Sequence, residues 1–79
     1  MADELTIIIK QVFNDYPLKD ILYRLSVETE RQAEYNGEEL TNNYATDARN
    51  DELTNLVTNL EQMSVCLAIS AKMAERLEL

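Results

Sequence analysis

Carboxylates are the only abundant reactive side chains in this 79-residue sequence, which holds 15 aspartates and glutamates, 7 lysines and arginines, one cysteine and no histidine. Neighbouring carboxylates perform acid–base chemistry where burial pushes a pKa upward, and they bind hard cations where a loop gathers their oxygens. Glu28, Glu30 and Glu34 lie on a stretch with no apolar pocket in its pattern, and Gly37 is not embedded in the spacing of an EF-hand loop. Without histidine there is no imidazole base, no standard nucleophile triad and no Glu-x-x-His pair for a di-iron bundle. Ser26, Ser64 and Ser70 have no recognisable activating partner. Cys66, between Val65 and Leu67, reads as a small buried hydrophobe, and as the lone cysteine it excludes an intrachain disulfide and a zinc site of nitrogen and sulfur ligands. The expectation is a protein that is not an enzyme and holds no metal or cofactor.

Two patterns could carry binding instead. Across residues 28–52, Glu28, Glu30, Glu34, Glu38, Glu39, Asp47, Asp51 and Glu52 face only Arg31 and Arg49, so eight acids against two bases leave −6. Such a surface could dock on a basic protein, and in the extreme it imitates the phosphate rows of DNA. A solvated face that aids solubility is the plainer reading. The net charge of −8 opposes direct contact with nucleic acid or an anionic membrane.

The second pattern is a scarcity of charge. Between Leu53 and Ala71 only Glu61 is charged, while Thr54, Asn55, Thr58, Asn59, Gln62 and Ser64 are polar and neutral. Neutral side chains can enter a contact without burying an unpaired charge. Leu53, Leu56, Val57, Leu60, Met63, Leu67, Ala71 and Ala74 form a helical stripe, and Val65, Cys66, Ile69 and Met73 add apolar character on other faces. A helix apolar nearly all round is normally enclosed on several sides. Leu56, Leu60, Met63, Leu67, Ile69, Met73 and Ala74 are therefore the candidate interface, weighed against the simpler role of a central helix in a three-helix bundle.

The elements that must position these residues are helices. One glycine and one proline leave few turns for a β or α/β fold, and they divide the chain at Pro17 and Gly37. Leu5, Ile8, Ile9, Val12, Phe13 and Tyr16 have helical spacing, although the β-branched run at residues 6–9 would also suit a strand. Pro17 ends this first helix, with Asp15 a candidate N-cap for the second. Asn36-Gly37 reads as the second helix's C-terminal cap, and residues 38–50 as a loop or as early turns of the third helix. The tyrosines at 16, 23, 35 and 44 share no stripe and are expected to cap core edges.

The whole reads as one all-α domain over residues 1–79, a helical hairpin or three-helix bundle with helices near 3–15, 17–36 and 50–77. A chain of this size buries only about 60% of its unfolded surface, so oligomerisation or well-matched helix packing must add stability. Acids stand where a secretory signal carries bases, and no apolar run approaches the roughly 20 residues of a membrane span, which together predict a cytoplasmic protein without membrane contact. The expected role is a small interaction or regulatory protein, acting as a homo-oligomer through its C-terminal helix. The alternatives are an acidic inhibitor presenting residues 28–52 to a basic nucleic-acid-binding protein, and a structural subunit of a larger complex.

Overall fold

A computed structural model describes residues 3–42 and 47–79. They form three helices, α1 (Glu4–Asp15), α2 (Leu18–Asn42) and α3 (Asp47–Arg76), with no strand among the described residues.

The run at residues 6–9 is helical because its start is capped and no second strand offers a partner. Asp3 has extended backbone (φ −74°, ψ 165°), and its side chain accepts a hydrogen bond from the Thr6 N–H at 2.7 Å. That bond holds the Asp3 carboxyl below its ordinary pKa. At the other end Tyr16 donates its N–H to the Val12 carbonyl at 3.1 Å and then turns extended (φ −125°, ψ 149°). Pro17 disfavours helical geometry in the residue before it, which accounts for the corner.

Asp15 does not cap α2 as expected. It is the last residue of α1, where its Oδ2 accepts from Gln11 Nε2 at 2.9 Å. The first acceptor of α2 is instead the Pro17 carbonyl, which receives the N–H groups of Asp20 and Ile21 at 3.1 and 3.2 Å. The next orphan donor, the Lys19 N–H, reaches the Leu79 carbonyl at 3.3 Å and ties the start of α2 to the tail that follows α3.

Gly37 does not end α2, which continues to Asn42. Glycine inside a helix costs about 1 kcal/mol, but Glu38, Glu39 and Leu40 favour helix and α3 packs alongside. Residues 38–42 and 47–50 are accordingly helical instead of loop, while 43–46, including Tyr44, lie outside the described residues. The end of α3 is closed by a Schellman pair, Leu79 N–H to Ala74 carbonyl at 2.9 Å and Glu78 N–H to Glu75 carbonyl at 3.1 Å. This places Glu78 at φ 59°, a left-handed position that glycine usually fills.

α2 and α3 pack antiparallel. On α3 the shielded positions include Leu53, Val57, Leu60, Ser64, Leu67, Ala71 and Ala74, a set that alternates spacings of four and three. On α2, Leu22, Ser26, Thr29, Ala33, Asn36 and Leu40 follow the same alternation. This is the heptad seam of two helices that stay in register along their length. Its most buried members are small, namely Ser26, Ala33, Ser64, Ala71 and Ala74, with Leu53 the exception. Near its middle Ser64 Oγ donates to the Ser26 carbonyl at 2.8 Å, a buried hydrogen bond between the two helices.

α1 does not complete a bundle. None of its residues is buried, it touches α2 near the corner, and it does not pack on α3. The outline is consequently flat and extended, 45 × 35 × 14 Å, with a radius of gyration of 15.7 Å where a compact chain of this length has about 12 Å.

Candidate functional site

A helix turns about 100° per residue, so residues just before and just after a seam position lie on opposite flanks of the hairpin. The two flanks differ in chemistry. The residues that follow seam positions, Glu30, Glu34 and Gly37 on α2 with Glu61, Val65 and Ala68 on α3, line an open groove of about 800 Å³, together with Glu38. Its floor is Ala33, Val57 and Ser64, and its rim carries four glutamates. None of the four takes part in the ion pairs found among the described residues, Arg31–Glu28 at 3.1 Å and Arg49–Glu39 at 3.0 Å.

The residues that precede seam positions make the opposite flank. Near the corner it holds Ile21, Leu25 and Glu28 on α2, with Met63, Cys66, Ser70 and Met73 on α3, and Leu56 lies farther along. Leu25, Leu56, Met63 and Met73 are all exposed, Met63 and Met73 by 51% and 54%. Val12 of α1 and Tyr16 at the corner meet Asp20, Ile21, Tyr23, Arg24 and Leu25 of α2 around a second cavity of about 540 Å³, set in the crook where α1 leaves α2. Beyond it Leu5, Ile8, Ile9 and Phe13 continue the α1 face into solvent.

The candidate interface residues separate into two groups. Ala74 is buried against α2, and Leu60 and Leu67 are half-buried in the seam, so these three hold the hairpin together. Leu56, Met63, Ile69 and Met73 are exposed and free to meet another surface. The acidic set is also divided. Glu28 and Glu39 are half-buried and paired with arginines, Glu30, Glu34 and Glu38 border the groove, and Asp51 and Glu52 are exposed on the first turns of α3. Asp47 opens α3, and its side chain lies outside the described residues. The Glu39 carboxylate raises the pKa of the Arg49 guanidinium above its ordinary value through a two-pronged hydrogen bond.

Two readings of single residues are corrected. Cys66 is exposed, because it sits two residues past Ser64 and so turns away from α2. Tyr16, Tyr23 and Tyr35 are likewise exposed and cap no core edge. The sequence pattern did not mark the α1 face as an open surface, since apolar spacing on a helix is the same whether a partner lies in the same chain or another. Nor did it single out Glu61 as the α3 contribution to an acidic groove.

The chain matches no protein-family model, no curated protein and no solved structure. No helix among the described residues is long and apolar enough to cross a membrane, and no group of three or more aspartate, glutamate or cysteine side chains there could hold a metal ion.

Proposed function

We propose that this chain is a small, non-catalytic interaction protein that works as a homo-oligomer, using the exposed apolar face of α3 as part of the shared interface. One observation carries the reading. The accessible surface is 6513 Å², whereas a compact monomer of 9.1 kDa exposes about 4,900 Å². The excess of roughly 1,600 Å² exceeds the ~800 Å² per partner that a stable protein–protein interface buries. Much of the exposed surface is large apolar side chain, including Leu56, Met63, Ile69 and Met73 on α3. Large apolar side chains exposed to this extent mark association sites.

Light scattering on the double variant Met63→Asp with Met73→Asp tests this reading. Both side chains lie outside the seam, so far-UV helicity should be retained while the mass falls. An unchanged oligomeric mass would place the interface elsewhere.

A second reading rests on the groove, whose four glutamates above a small apolar floor suit a basic segment of another protein. Binding there would weaken steeply as salt rises, whereas apolar self-association holds or tightens. A titration with an oligolysine peptide at low and high salt separates the two surfaces. Loss of binding in Glu30→Gln with Glu61→Gln would assign the peptide to the groove, and unchanged binding would exclude it.

A further inference from the structure

Building on the homo-oligomeric reading, we infer that α1 is an exchanged arm: its apolar face docks on the apolar flank of the α2–α3 hairpin of a second copy, and the second copy's α1 docks in return. Four observations converge on this occupant. First, the face made by Leu5, Ile8, Ile9, Val12 and Phe13 has no buried member, and of these only Val12 lines the crook against α2. Second, the corner that aims α1 outward is set locally. Only Tyr16 and Pro17 separate the helices, and the proline holds Tyr16 extended, so the corner directs α1 away from its own hairpin.

Third, the dimensions agree. The 12 residues of α1 span about 18 Å, and the stretch from Met63 to Met73 of the flank spans about 15 Å. Fourth, the area is sufficient: the excess surface of roughly 1,600 Å² covers what a reciprocal pair of such contacts would bury. The flank near the corner exposes Leu25, Met63, Cys66 and Met73 beside the buried Ile21 and the half-buried Ser70, and its Glu28 is paired with Arg31, so an apolar helix can pack there without burying an unpaired charge. The crook between α1 and α2 adjoins the flank through Ile21 and Leu25, with Asp20, Tyr23 and Arg24 completing its lining. Reciprocal exchange is closed by two-fold symmetry and leaves no apolar end open for further growth.

The test is complementation between two full-length variants. One carries Ile8→Asp with Ile9→Asp on the arm, and the other carries Met63→Asp with Met73→Asp on the flank. All four side chains are exposed in the single chain, and circular dichroism on each variant checks that the helices persist. Each variant alone should run at the single-chain mass. An equimolar mixture should recover a two-chain species, because the intact arm of the second variant can dock on the intact flank of the first. No recovery on mixing, or an arm variant that stays oligomeric by itself, overturns the exchange. If an Asp variant loses helicity, the pair Ile8→Ser and Met63→Ser gives the same readout. A wild-type chain that is itself monomeric defeats the homo-oligomeric reading, whereas an oligomeric wild type without complementation defeats the exchange alone.

Discussion

The hairpin of α2 and α3 closes on itself through small side chains, while α1 carries larger apolar side chains that, apart from Val12 at the corner, meet nothing within the chain. At the seam Ser26, Ala33, Ser64, Ala71 and Ala74 let two backbones approach, and among the described residues the large apolar side chains that are buried are Ile21 and Leu53. Burying one such side chain contributes about 1.5–3 kcal/mol, so the hairpin's own apolar stabilisation is modest. α1 leaves Leu5, Ile8, Ile9 and Phe13 about half exposed or more. The bulk of the apolar payload thus sits outside the part that is internally packed. Folding and association are therefore expected to be coupled, with a melting temperature that rises with protein concentration.

Substitutions in the two regions should separate in kind. Phe13→Asp on α1 should weaken association by between roughly tenfold and a hundredfold, since a large apolar burial is lost, yet it should leave hairpin helicity in place. Sedimentation equilibrium reads the first effect and circular dichroism the second. Ala33→Leu in the seam should behave oppositely, costing about 1–3 kcal/mol of stability at every concentration because the close approach has no room for a larger side chain. Denaturant unfolding of dilute and concentrated samples checks it. Ser64→Ala removes the hydrogen bond to the Ser26 carbonyl and should cost about 1 kcal/mol in the same assay.

Smaller effects are expected at the helix ends. Glu78→Gly should stabilise the chain by something under about 1 kcal/mol, because glycine takes the left-handed position at φ 59° without a Cβ clash. Thermal melts would show a small upward shift. Asp3 gives the slightest effect and the one that depends on pH. Its carboxyl titrates below the ordinary value of 3.8 because the charged form accepts the Thr6 N–H. The cap is therefore in force above that ordinary value and is lost as pH falls through the lower folded value. Backbone amide shifts of residues 4–8, followed by NMR down an acid titration, should report fraying of α1 there. Asp3→Asn should keep the cap and abolish this pH dependence.

The two regions also explain what was legible in the sequence. The three helices follow from local signals, since the apolar spacing of α1 and α3 and the break at Pro17 act within a few residues. Gly37 misled because a turn signal is a local preference, which packing of a long α2 against α3 outweighs. The stripe through Leu56, Leu60 and Met63 mixes seam with surface, because an all-round apolar helix does not record which face meets its own chain. Ser64 is the instructive case. It breaks the apolar pattern, yet it sits at the heart of the seam, because small size and a hydrogen bond to Ser26 matter more there than hydrophobicity.

Light scattering coupled to size-exclusion chromatography on the wild-type chain, across a range of concentrations and at low and high salt, tests self-association most directly. The expected result is a mass at a multiple of 9.1 kDa that salt does not reduce. A single-chain mass at every concentration, with a radius of gyration near the ~12 Å of a compact chain, would contradict it and show that α1 covers its own hairpin.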